Sequence, residues 1–300
     1  MVKDYIIAEH RIRIEGEKLI EAVMKIEGFT PFEVEVSGKP LATITSEGTS
    51  TMLVPALAKQ LYTVTTEDGV KSVFGRTTDG FRFDICSPRG ADAVLWGKQD
   101  ENRWKIKGST LENGIELERL VRFTIWIAYG LSTSQLDTVA VHTSTITYQG
   151  KNVLFLGESG TGKSTHTRLW RENIEGATLL NDDSPILRIK ENGEAWIYGS
   201  PWSGKTPCYK NESYPLAGCV RLSQAPYNKI EKLRVIQAYA AIHPSCPPDF
   251  AYDKYLYGGI SRTISKLIAQ VPFYHLACLP NKEAAELSCS TIFRPSPTLP

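Results

Sequence analysis

The amino-acid sequence predicts an α/β chain, α+β overall, made of a β-rich module over residues 1–108, an α/β core over 109–293 and a loose tail over 294–300. Three observations lead there. The first hundred or so residues break into short runs of period two. A buried strand, a glycine-rich loop, a helix and a second strand then follow in order between Val153 and Asp183. Hydrophobic residues at 42% and charged residues at 22% fit a folded globular chain without extended disorder.

In the N-terminal module, Leu41–Thr45, Leu61–Thr65 and the alternating Phe81-Arg-Phe83-Asp-Ile85 read as strands punctuated by Gly and Asp, and residues 17–27 read as one helix. This module carries no catalytic motif. Ser109-Thr-Leu-Glu112 forms a capping-box pattern, and Leu117, Leu120, Val121, Thr124 and Ala128 continue at helical spacing until Gly130, which is expected to stop the run. Thr138–Tyr148 is a β-branched, extended stretch carrying His142. A turn at residues 149–152 leads to the strand Val153–Leu156.

Beyond the loop, a helix is expected over 164–173, ended by Gly176, and then a strand from Ala177 into Asn181-Asp182-Asp183. Pro185–Ile189 and Ala195–Tyr198 form a hairpin about Asn192-Gly193. Further elements are a strand near 216–222, helices near 229–242 and 259–270, a strand at 273–279 and a helix opening at Asn281.

Composition narrows the function. The formal net charge of +1 gives no field for a polyanion, which argues against a nucleic-acid partner. The six cysteines, at 86, 208, 219, 246, 278 and 289, include no CxxC pair and read as buried thiols, so a reduced, cytoplasmic setting is expected. The first ten residues hold an early acid and too short an apolar run for a signal-peptide core, and no window approaches a membrane span. No spacing rule fixes an oligomeric state.

Chemistry concentrates at Gly157-Glu158-Ser159-Gly160-Thr161-Gly162-Lys163-Ser164, which satisfies the phosphate-loop pattern between a strand and a helix. Glycines let successive amides turn toward phosphate oxygens, and the following helix adds its positive dipole end. Lys163 then neutralises the β and γ phosphates, the Ser164 hydroxyl reaches a magnesium ion, and Thr165 closes the binding segment. ATP and Mg²⁺ are the expected cofactors. The segment Gly199-Ser-Pro-Trp-Ser-Gly204-Lys205-Thr206 fits the same pattern, but Pro201 removes an amide and no apolar helical run follows. It reads as a loop beside the site, with Lys205 either reaching a phosphate or substrate or standing in an exposed turn.

Asp182 and Asp183 end a strand 19 residues after Lys163, the length of one βαβ unit, so a parallel pairing would bring them to the loop. One carboxylate would serve the metal and the other would accept a proton; a turn or capping role is the alternative. His142, taken alone, reads as a satisfied core histidine.

His142, then the loop from Gly157 to Ser164, then a strand ending in Asp182-Asp183, together resemble the catalytic core of HPr kinase/phosphorylase, itself similar to that of phosphoenolpyruvate carboxykinase. Leu180-Asn-Asp-Asp183 with Tyr198-Gly-Ser-Pro-Trp-Ser-Gly204 resembles more closely the HPr-kinase-related proteins of bacterial peptide-modification gene clusters. The resemblance covers residues 110–290. It implies a kinase core in which Lys163 and Ser164 hold phosphates and magnesium, Asp182 is the base toward a serine-like hydroxyl, Asp183 assists the metal and His142 sits beside the acids. The acceptor would be a hydroxyl on a peptide, protein or small metabolite. Two departures stand out: Trp196 where the family has a metal-associated glutamate, and Thr165 where a glutamate is usual. A non-catalytic ATP-binding scaffold and a carboxykinase-like small-molecule enzyme are the alternatives.

Overall fold

The computed structural model describes residues 1–46, 53–108, 117–204 and 206–293. The capping-box pattern at 109–112, Lys205 and the 294–300 tail lie outside them. The chain forms two compact units, Met1–Leu136 with Pro248–Gly258, and Asp137–Pro247 with Gly259–Pro300. The class is mixed α/β, built on two large sheets. No described helix is long and apolar enough to cross a membrane.

The first unit is a nine-stranded sheet in the order β3-β1-β2-β4-β9-β8-β7-β6-β5. Its strands are β1 (Val2–Ile7), β2 (His10–Glu15), β3 (Glu33–Val34), β4 (Ala42–Ser46), β5 (Lys59–Thr65), β6 (Lys71–Arg76), β7 (Gly80–Cys86), β8 (Asp92–Lys98) and β9 (Arg103–Lys107). Alternation places Phe81, Phe83 and Ile85 in the core. Helices α1 (Glu17–Met24) and α2 (Leu117–Thr133) cover the sheet, with α2 against β7 and β8. Phe83 meets Phe123 edge to face at 5.5 Å, and the Trp104 indole donates to Ser132 Oγ at 2.8 Å. The α2 helix therefore belongs to this unit.

Helix α2 does not stop at Gly130 but runs to Thr133. The glycine is there for space: a Cβ on it would stand 2.8 Å from the Phe250 ring. Close packing, not termination, explains the residue.

The second unit carries the other nine-stranded sheet, ordered β10-β14-β15-β16-β12-β11-β13, with β18 on β16 and β17 on β18. The strands are β10 (Thr138–Ala140), β11 (Thr143–Tyr148), β12 (Lys151–Leu156), β13 (Thr178–Asp183), β14 (Ile186–Ile189), β15 (Ala195–Tyr198), β16 (Ser213–Gln224), β17 (Lys229–Lys232) and β18 (Phe273–Cys278). Helices are α3 (Lys163–Asn173), α4 (Val235–Ile242), α5 (Lys254–Gln270, which begins in the first unit) and α6 (Lys282–Ile292). Phe155, Trp170, Val220, Leu222, Leu276 and Ala285 form the core between sheet, α3 and α6. Asn281 caps α6 by accepting from the Ala284 amide at 3.1 Å.

Three local expectations change. The stretch 138–148 is two strands, broken at Val141-His142. Residues 229–232, expected to start a helix, form β17, because Lys-Ile-Glu-Lys alternates and pairs with β18 while Ile230 packs on the core. Of the six free cysteines only Cys219 and Cys246 are buried, and Cys86 is exposed.

The larger change concerns pairing. Strand β13 does not lie beside β12: β11 stands between them, antiparallel to both. Two antiparallel steps leave β12 and β13 running the same way, so their carboxyl ends still emerge together. Ser144, near the start of β11, faces Phe155 on one side and Asp182 on the other.

Candidate active site

Gly157 is the buried first residue after β12, and Glu158, Ser159 and Gly160 form the exposed crest of the loop. Thr161 folds it back, its hydroxyl donating to the Glu158 carbonyl at 2.8 Å. Gly162 then caps α3 with φ of +101°, a conformation that an L-residue adopts only under strain. A Cβ on Gly162 would meet nothing within 4 Å, so backbone angle alone calls for glycine here. The Gly162 carbonyl accepts from the His166 amide at 2.8 Å and starts the helix.

Lys163 bends back over the loop and donates to the Gly157 carbonyl at 2.7 Å and the Glu158 carbonyl at 3.2 Å. Half-burial pulls its pKa below the usual lysine value, while the charges of Asp183 and Asp182 oppose the shift. The ammonium thus lies over the loop, held by two of its carbonyls.

Asp182, Asp183, Ser164 and His142 are brought to one place by α3, β11 and β13. The Asp182 carboxylate is buried, accepts from Ser144 Oγ at 2.6 Å and stands 3.2 and 3.4 Å from Ser164 Oγ. The Thr167 hydroxyl is 3.2 Å from that of Ser144. Asp183 has other partners: its Oδ1 lies 3.1 Å from His142 Nδ1. Strand alternation is obeyed, since Asp182 reaches the first turn of α3 while Asp183 reaches the strand break. His142 is not a core histidine. Its ring is exposed, and its amide donates to the Ser245 carbonyl at 2.7 Å.

Asn181 fixes this divergence. Its Oδ1 accepts from the amides of Asp183 at 3.0 Å and Ser184 at 2.9 Å, an Asx-type turn that ends β13. Its Nδ2 donates to the Trp202 carbonyl at 2.9 Å, which ties the acids to residues 199–204. That second glycine-containing loop backs the acidic pair: a Cβ on Gly204 would come within 2.7 Å of the Asp182 carbonyl. Among the described residues no helix follows it directly, and the next element is β16.

Thr165 lies in the first turn of α3, partly buried. Arg221 stands 3.6 Å from the Glu158 carboxylate, whereas Arg262 pairs with Asp137 at 3.3 Å. Trp196, on the β14–β15 hairpin, has Lys190 Nζ 3.7 Å from its ring centroid. Among the described residues no group of three or more His, Cys, Asp and Glu side chains is placed to hold a metal by itself. Magnesium does not require one, because it takes one or two protein oxygens and completes its shell with phosphate and water. The Ser164 hydroxyl and Asp182 carboxylate are an oxygen pair that fits this need.

Sequence reasoning did not assign Ser144, Thr167 or Asn181. The signal for Ser144 was its place two residues after His142, and for Asn181 its position before the acids. No protein-family model matches the sequence, and a search of curated proteins gives no match.

Proposed function

We propose that this chain is an ATP- and magnesium-dependent phosphotransferase of HPr-kinase-like type, acting on a hydroxyl of a peptide, protein or small metabolite. The observation that carries the reading is the division of labour between two adjacent acids, Asp182 against the loop serine and Asp183 against His142.

The geometry favours a reversal of the roles that the family resemblance implies. Asp182 and Ser164 would hold a magnesium ion, which when bound would supply charge neutralisation to the transferring phosphate. Asp183, oriented by His142, accepts the proton of the acceptor hydroxyl. The freed oxygen bonds to the γ phosphorus, the bond from that phosphorus to the bridging oxygen breaks, and ADP leaves with the electron pair. Lys163 shifts from the Gly157 and Glu158 carbonyls to the phosphates. Positioning and charge compensation supply most of the acceleration.

The test is transfer of label from γ-labelled ATP to amino acids, small peptides and cell extract. Asp183→Asn is expected to keep MgATP affinity and lose about a hundredfold or more in transfer, the scale of a general base. Asp182→Asn is expected to weaken the magnesium-dependent part of binding. The opposite pattern would restore the roles implied by the resemblance. One observation favours a second reading: Trp196, packed under Lys190, stands where the family has an acid, which fits a nucleotide-binding scaffold. MgATP binding with no acceptor labelled would select it.

A further inference from the structure

A cleft of about 620 Å³ opens beside the glycine-rich loop, within the size range of small-ligand pockets. Gly160, Gly162 and Thr165 form one wall, so cleft and loop share backbone. Leu169, Leu222, Ala225 and Leu279 give the cleft an apolar lining. His142, Asp182 and Asp183 do not line it.

This separation gives the loop a direction. A triphosphate whose terminal group lies at Ser164, next to Asp182 and in the first turn of α3, has the cleft within reach of its other end. Thr165 and His166, the next residues of that turn, face the cleft. His166 has its Nε2 engaged 3.1 Å from Ser288 Oγ, and Gln224 is the exposed amide side chain among the lining residues. Gln224 donates to the Gly160 carbonyl at 3.2 Å and so bridges the end of β16 and the loop. A primary amide offers both donor and acceptor and rotates to suit either purine edge.

We propose that this cleft is the nucleoside subsite, taking the base and sugar of a purine nucleoside triphosphate with little discrimination between adenine and guanine. The inference rests on the phosphotransferase reading above, and the ligands of the test separate the two.

Calorimetry of the full chain with Mg²⁺ would compare ATP, GTP and inorganic tripolyphosphate, on the natural protein and on Ala225→Trp and Leu279→Trp. Ala225 is partly exposed and Leu279 is 38% exposed, so either indole projects into the cleft without entering the core. Each variant is expected to lose at least about tenfold in ATP and GTP affinity and to keep tripolyphosphate affinity within about twofold. ATP and GTP should differ by less than about tenfold on the natural protein. Unchanged ATP binding in both variants, or equal loss of ATP and tripolyphosphate in both, overturns the subsite but leaves the loop reading standing. A purine preference beyond about tenfold overturns the weak discrimination. Natural protein that binds none of the three ligands overturns the phosphotransferase reading and the subsite with it.

Discussion

Replacing His166 with glutamine should change how stability depends on pH. His166 is 3% exposed, in the first turn of α3, with its ring centroid 4.9 Å from that of Phe155. Burial pushes its pKa from 6.5 down to about 4. Between those values the folded ring stays neutral while the unfolded one takes up a proton. The unfolded state then binds more protons, so stability is full above pH 6.5 and is lost as pH falls toward 4. Linkage over this interval gives a loss of about 2.5 kcal/mol between pH 7.5 and 4.5 from this one ring. Glutamine keeps a polar group for Ser288 and for Trp170, whose indole donates to Ser288 Oγ at 2.9 Å, but does not titrate.

Urea unfolding at pH 7.5 and 4.5, followed by tryptophan fluorescence, would measure both proteins. The stability advantage of the natural protein over His166→Gln should shrink by about 2.5 kcal/mol on acidification. The comparison cancels groups of opposite sign. Asp249, in the other unit, has its carboxyl pushed up to about 6 by burial, so it costs stability as pH rises from 3.8 through 6 in both proteins. An advantage that stays constant within 0.5 kcal/mol (about the error of such differences) or grows in acid would refute the reasoning.

Three further outcomes follow from packing and backbone. Gly130→Ala gains roughly 1 kcal/mol of helix propensity but forces a methyl against Phe250, and a net loss of about 1–2 kcal/mol is expected in thermal unfolding. Gly162→Ala places an L-residue at φ +101°, with an expected cost of about 1–2 kcal/mol and a sharp fall in tripolyphosphate affinity by calorimetry. Asn181→Ala leaves the amides of Asp183 and Ser184 without their acceptor, and about 2–3 kcal/mol of stability should be lost together with transfer activity.

The legible parts of this chain are those whose causes are local. The strand before the loop, the glycine positions, the start of α3 and the Asn281 cap each follow from a few neighbouring residues. So does the arrival of two acids at a strand end. What escaped was non-local. Nothing near Thr143 says that β11 will separate β12 from β13, because that choice is made by which edges meet across the sheet. The same holds at Gly130, where the helical run looked finished until Phe250 came to pack against it. At 229–232 a four-residue period-two pattern was too short to outweigh the helical run behind it. The split between Asp182 and Asp183 needed the partners Ser144, Ser164 and His142, of which only Ser164 follows from the loop pattern.

Strand β16 is bonded on both edges: residues 218–221 pair with β12, and 219–224 pair with β18. Earlier in the same strand, residues 213–215 pair with β15. One continuous backbone is thus the seam between the wing bearing the loop and the wing bearing the hairpin. Each wing holds its own stretch of that strand, and either must break a ladder on it to peel away. The second unit is therefore built to melt as a block, and the amides of Cys219 to Arg221 should be among its last to exchange with solvent.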